Sequence, residues 1–335
     1  MRKQIFSTTL GLLLAALFLY ITFRGRDPAL LWHQVRRVDP VLSLGLLLLC
    51  WLNLFCRGLR WWFLLPGPLD KRDFWPTQRG IFLSYGVNNI ASRIGEIVRI
   101  VAMRRASARG TASLTSSVVV DRVLFDFVVL VGLFSFVLVN YRQRMAAVFP
   151  RLEPAFFFFL ILTICGISGL FLLVLRPQLI KDALKKIGLA RLPALWPRIL
   201  NLIDQLADGA EVLGRPGRLL ALIAFNLLVW GLAVAYFWFS LEAVGIALPA
   251  SQVILLFTIS SLGLVLPSPG GLGTMHYFIS IALIQFLAVE ESQAQVAAVY
   301  SHGINYLGIT FAALLAFFGK PKRLPNNLAT PPTTP

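Results

Sequence analysis

Apolar residues run almost unbroken for about twenty positions at a time along this chain, over residues 5–23, 41–65, 117–140, 154–175, 218–240 and 295–318. A helix needs roughly 20 such residues to cross the hydrocarbon of a bilayer, so each run predicts a spanning helix. Two further apolar regions, 81–105 and 250–289, are interrupted. The first contains Gly86, the Asn88–Asn89 pair and Gly95. The second breaks at "LPSPGGLGT", Leu266 to Thr274, where two prolines and three glycines rule out a continuous helix. Irregular backbone at membrane depth survives only where protein buries it or water reaches it. Both regions therefore read as helix–break–helix elements. The fold class expected is all-α, a polytopic membrane bundle of about eight helices with two re-entrant elements.

Charge refines this picture. Only 14% of the 335 residues are charged, 57% are hydrophobic and the mean hydropathy is +0.76, whereas soluble domains are about a quarter charged. The net charge of +16 does not point to nucleic acid, because no basic region is paired with a soluble fold. Basic loops of a membrane protein stay cytoplasmic. Arg2 and Lys3, the basic residues of 176–218, and Lys320, Lys322 and Arg323 in the tail then put both termini in the cytoplasm. Glu242, Glu290 and Glu291 stand where Lys and Arg are absent and fit the opposite side. The assignments agree if each interrupted region enters and leaves on one face, the first from the cytoplasm and the second from outside. Such opposed elements are the layout of an inverted repeat. "SRIGE" and "GGLGT" align at Gly95 and Gly273, a match too short to establish duplication. Residues 24–39 run against the bias, being external yet carrying Arg24, Arg26, Arg36 and Arg37.

The N-terminal run 5–23 is long for a signal peptide and no small-residue cleavage site precedes Arg24, so it reads as the first span. Residues 1–320 are expected to form one integral membrane domain. Within it, 177–217 forms amphipathic helices on the cytoplasmic surface, with a partner-binding element as the alternative. The Pro-rich tail 321–335 is expected to be disordered. Cys50, Cys56 and Cys165 lie in apolar segments and read as small buried hydrophobes. His33, His276 and His302 lack metal-ligand spacing and no G-x-x-x-x-G-K-[ST] occurs, so neither a metal nor a nucleotide or other cofactor is expected.

Charges inside apolar segments are the candidate chemistry, since an intramembrane ionisable group is a functional hypothesis by default. Arg93, Glu96 and Arg99 are spaced three apart and share one side of a helix. The guanidinium fork suits phosphate, so this face would attract an anionic headgroup. The alternative is an interfacial anchor continued by Arg104, Arg105 and Arg109. Arg122 and Asp126 are four apart, a pair able to close internally and lock their helix against the arginine face, with Asp121 beside them. Arg57, Arg60, Trp61 and Trp62 read as an interfacial anchor at the end of a span. In "PSPGGLGTMHYF", the amides around Gly270, Gly271 and Gly273 at a helix start could hold an anion, with His276 beside them. Close helix packing is the other use of those glycines.

Three of these motifs resemble the flippase-like family named for the lysylphosphatidylglycerol synthase transmembrane region. Its L-P-x-R-x-G-E-x-x-R pattern is matched by "IASRIGEIVR", with Ala91 for the proline. Its V-x-x-x-R motif with an acid is matched by "VVVDRVLFD", and its late P-G-G-x-G-x-x-E element by "PGGLGTMH", where His276 replaces the acid. Order and spacing together carry the resemblance, from the second span to Tyr306. It implies a translocase in the bacterial cytoplasmic membrane, moving an anionic phospholipid or a lipid-linked phosphate between leaflets. Long members carry a soluble aminoacyltransferase domain after the membrane part. This chain ends about 17 residues past its last predicted helix, so that activity is not expected. The substrate-binding residues expected are Arg93, Glu96, Arg99, Arg122, Asp126, Gly270, Gly271, Gly273 and His276. The alternatives are a membrane enzyme acting on a polyprenyl phosphate or glycolipid through Ser92, Glu96 or Asp121, and a scaffold for a lipid-modifying enzyme. A homo-oligomer or such an enzyme stays open as partner.

Overall fold

The computed structural model describes residues 2–25, 27–92, 94–148, 176–193 and 195–319, with scattered positions between 157 and 172. Most of the run 154–175, the tail 321–335, and Arg26 and Arg93 lie outside the described residues. Twelve helices are described: α1 (Arg2–Phe23), α2 (Pro28–Arg36), α3 (Pro40–Leu64), α4 (Phe74–Ile90), α5 (Gly95–Ala106), α6 (Thr111–Val148), α7 (Pro177–Lys186), α8 (Trp196–Ala210), α9 (Pro216–Glu242), α10 (Ala250–Val265), α11 (Thr274–Leu287) and α12 (Glu291–Phe318). No strand occurs among the described residues.

Local chemistry sets several starts. Asp27 and Asp39 cap α2 and α3, each carboxylate accepting a 2.8 Å hydrogen bond from the amide two residues on, with Pro28 and Pro40 at the first helical position. Glu290 caps α12 in the same way. Among the described residues five segments are long and apolar enough to cross a membrane: α3, α6, α9, α11 with the turn from Pro269, and α12. Their outward faces are apolar, as at Leu48, Leu227 and Leu315. Cys165 is also exposed, unlike Cys50 and Cys56, so it is not the buried hydrophobe the sequence suggested. An outward-facing apolar side chain in lipid needs no burial.

Both interrupted regions are helical hairpins. The arms α4 and α5 (17 and 12 residues) and α10 and α11 (16 and 14 residues) pack against each other; α4, α5 and α10 fall short of the roughly 20 residues of a span, and α11 reaches 19 only with the turn from Pro269. The hairpins open at opposite ends of the bundle. Asp73 before α4 meets Arg109 after α5 at 2.6 Å, and Arg109 also donates to the Pro66 and Pro68 carbonyls after α3. Arg79 donates to the Ala316 carbonyl in the last turn of α12, at 2.8 Å. At the other end Arg144 donates to the Phe286 carbonyl near the end of α11, at 2.9 Å, and Gln293 of α12 reaches the Gly245 carbonyl before α10, at 3.5 Å. Residues 24–39 join that second end, since Gln34 and Arg37 share a pocket with Ala243 and Glu290.

The segment 177–217 lies at the first end. Lys181 pairs with Asp204 at 2.5 Å, joining α7 to α8, and α8, where Ile203 is buried, packs on α6. Leu179, Ile187, Leu192 and Leu202 remain exposed.

Candidate functional site

The seven residues Asp121–Phe127, inside the apolar helix α6, are wound as a π-helix. In an α-helix residues five apart are turned about 140° from each other. The i→i+5 hydrogen bonding of a π-helix brings them onto one face. Asp121 and Asp126 thereby reach one guanidinium: Arg60 Nη2 of α3 lies 2.9 Å from Asp121 Oδ1 and 2.8 Å from Asp126 Oδ1. The Phe125 carbonyl within this turn accepts from the indole N–H of Trp230 on α9, at 3.0 Å.

Five helices converge here. From α3, Arg57 and Arg60 lie on one face with Asn53. Arg57 is 3.5 Å from Asp126 and donates to Asn53, while Arg60 donates to Asn226 of α9 at 2.6 Å. From α5, Arg99 meets Asp121 at 3.0 Å and Glu96 at 2.7 Å. Glu96 also meets Arg122 of α6 at 2.5 Å, and Arg122 closes back on Asp126. Tyr85 of α4 accepts from Arg122, and its ring faces both Arg57 and Arg122. Trp61 and Phe125 present faces to Arg99 and Arg60 at 5.0 and 5.6 Å.

Among the described residues this cluster sets four guanidiniums against three carboxylates, an excess of one positive charge. Its interior is dry: Arg99 and Arg60 are 0% and 1% exposed. Its outer edge is the Arg122–Glu96 pair, 30% and 26% exposed. Burying charge at this depth is tolerable only because each is paired. Within the cluster, the Nε atoms of Arg60 and Arg99 are buried donors that find no partner among the described residues.

The second site is neutral. Gly270 and Gly273 take positive φ, 55° and 75°, in the turn between α10 and α11. A side chain on Gly270 would meet the Tyr306 ring and the Asn89 backbone, and one on Gly273 would run into the Ala15 carbonyl of α1. Ser268 and Thr274 share a hydroxyl hydrogen bond at 2.7 Å, and Thr274 also reaches the Gly263 and Gly271 carbonyls. The two helix breaks touch: Ser92 Oγ donates to the Ser268 carbonyl at 2.5 Å. Asn89 donates to the Tyr306 carbonyl and the Tyr306 hydroxyl donates back to the Asn89 carbonyl, each at 3.0 Å.

Of the residues singled out from sequence, Glu96, Arg99, Arg122 and Asp126 come together, and Gly270, Gly271, Gly273 and His276 form the separate neutral site. Arg93 lies outside the described residues. Glu96 holds Arg99 and Arg122, and the carboxylate that fixes the inner face of Arg99 is Asp121. Arg60 and Trp61 are not interfacial anchors. Both are buried, with Trp61 donating to Ser117 at 3.0 Å. A charge count would have found Arg60, because Asp121 and Asp126 outnumber Arg122 within one apolar helix and need another cation.

The sequence model of one protein family, described as "Lysylphosphatidylglycerol synthase TM region", matches residues 8–313. Neither a curated protein nor a solved structure matches the chain.

Proposed function

Because the chain belongs to the family of the lysylphosphatidylglycerol synthase TM region, and so is an integral membrane protein, we propose that it moves an anionic lipid between leaflets. In this reading the phosphate is received at the Arg122 edge of the charged cluster. The observation that carries it is the gradient of exposure across a cluster with one surplus positive charge, from buried Arg60 and Arg99 to partly exposed Arg122 and Glu96. A phosphate in hydrocarbon needs its charge matched. Arginine stays charged at any physiological pH and binds phosphate through two parallel N–H groups. The phosphate takes the place of Glu96 on Arg122, while Asp121 and Asp126 hold the remaining guanidiniums. Glu96 returns when the lipid leaves, which keeps the site from becoming a trap.

The two hairpins supply the path. We read them as re-entrant elements entering from opposite faces, with both termini cytoplasmic and the breaks meeting near the membrane midplane, the layout of an inverted repeat. No observation favours a membrane enzyme. Ser92 is bonded to the Ser268 carbonyl, and Glu96 and Asp121 are each held by two arginines or more.

The test is leaflet exchange of a labelled anionic lipid in proteoliposomes, beside a zwitterionic control. A charge-assisted hydrogen bond contributes about 1.5–3 kcal/mol, so Arg122→Ala should slow exchange by roughly ten- to a hundredfold. Arg122→Lys should fall between, since it keeps the charge and loses the fork. Glu96→Gln should bind lipid more tightly and turn over more slowly. Wild-type exchange in a folded Arg122→Ala protein would remove the phosphate-site reading.

A further inference from the structure

Two histidines stand against the glycine turn, and the charged cluster makes no use of them. His302 Nε2 lies 2.9 Å from the Gly270 carbonyl. A carbonyl only accepts, so Nε2 carries the proton and the neutral ring leaves Nδ1 bare. The His276 ring meets His302 edge-on, 4.7 Å between centroids, and packs on Phe23 at 5.8 Å. Both rings are buried.

Their surroundings are short of partners. His276 Nδ1, Ser280 Oγ and Gln295 Oε1 are buried and find no hydrogen bond among the described residues. Ser280 follows His276 by one turn of α11 and Gln295 precedes His302 by two turns of α12, so each lies on its histidine's face. Ser280 and Gln295 line a cavity of about 140 Å³ with Thr22, Tyr277, Gln285 and Glu291. Gln285 and Glu291 are exposed at its mouth. A water needs on the order of 10–15 Å³ and two to four polar partners, and the cavity offers both.

We propose that His276 and His302 form a proton-binding station, reached by water through this cavity from the Glu291 end of the bundle, whose loading couples a proton to lipid movement. The coupling rests on the translocase reading above; the station itself does not. Imidazole is the side chain whose charge changes near neutral pH. A proton arriving along the cavity is taken up at a bare ring nitrogen. The imidazolium then donates to water in this cavity, for which Gln295 Oε1 and Ser280 Oγ are acceptors otherwise unused. Two charged rings at this separation repel, so the pair takes one proton. The titratable groups facing it are Tyr306, 6.0 Å from His302, and Tyr277 and Glu291 on the cavity wall. Phe18, Thr22 and Phe23 are what α1 sets against this side, and α10 has no titratable residue in its sequence. Loading turns the His302–Gly270 contact into a charge-assisted bond, tightening the turn where the two breaks meet.

The chain has three histidines, so a His33→Gln protein leaves only this pair for histidine ¹⁵N NMR in nanodiscs. One imidazole charge should appear as the pH falls from about 8 to about 4, and His276→Gln should shift or abolish that titration. Two rings that stay neutral across this range would overturn the station, whatever happens in liposomes. For coupling, a pH gradient across wild-type proteoliposomes should bias the lipid between leaflets by up to roughly tenfold per pH unit, for one proton per lipid. The bias should vanish in His276→Gln and His302→Gln. Titrating histidines with lipid that exchanges but ignores the gradient would overturn the coupling. An absence of lipid exchange under every condition would count against the translocase reading and leave the titration result to decide the station alone.

Discussion

The charged cluster on α3, α5 and α6 and the glycine break between α10 and α11 both bury polar atoms, by opposite means. Around the π-helical turn, polarity is buried as a network of ion pairs in which guanidiniums and carboxylates are shared. At the break, polarity is buried as neutral hydroxyl and carbonyl contacts that overlap, Thr274 alone reaching Ser268, Gly263 and Gly271. Backbones there approach so closely that little side chain fits. The cluster should therefore be sensitive to deletion, because losing one member unbalances the buried charges. The break should be sensitive to addition. A translocase can use both behaviours: a charged region holds the substrate, and a close-packed neutral one moves or seals.

The largest expected effect tests the deletion half. Arg60→Ala removes the buried guanidinium that Asp121 and Asp126 share, leaving Arg99 to the first and Arg57 and Arg122 to the second, and breaking a buried pair costs about 3–5 kcal/mol. Denaturant or thermal unfolding in detergent would measure it. Adding Asp121→Asn should recover part of the loss, with a coupling of about 0.5–3 kcal/mol. Strict additivity would show that the two do not act as a pair.

The addition half comes next. Gly273→Leu must force a side chain toward the Ala15 carbonyl at a positive φ. Overpacking of this kind costs about 1–3 kcal/mol. Lipid exchange should be abolished while the protein still inserts, and Gly271→Leu should be milder because the neighbour it meets first is the flexible Met275 side chain. Deletion at the same break, Ser268→Ala, should cost only about 1 kcal/mol, since Thr274 keeps its carbonyl partners. If Ser268→Ala proved more damaging than Gly273→Leu, the contrast between the two regions would fail.

The smallest effect calibrates the scale. Lys181 and Asp204 also form a close ion pair, but Asp204 is 53% exposed. Lys181→Ala should change stability by less than about 1 kcal/mol, the range of surface pairs. A larger loss would mean that the α7–α8 segment is held by its charges rather than by the packing of α8 on α6.

Much of this was legible without coordinates because it obeys rules of short range. Hydropathy alone marks the long helices, Asp39 before Pro40 marks the start of α3, and the prolines and glycines of 266–274 announce a break wherever the chain runs. Arg99 and Glu96 are three apart and meet as spacing says they should. Tertiary structure decided the partners. Arg60 and Asp126 are 66 residues apart, and Ser92 and Ser268 are 176 apart. The π-helical turn that lets Asp121 and Asp126 share one guanidinium has no signature in hydropathy, because the same residues would serve an α-helix equally well until Arg60 is placed beside them. A helix is written in contacts a few residues long. A buried charge finds its counter-ion only when separate helices pack, and that is where this chain's chemistry is assembled.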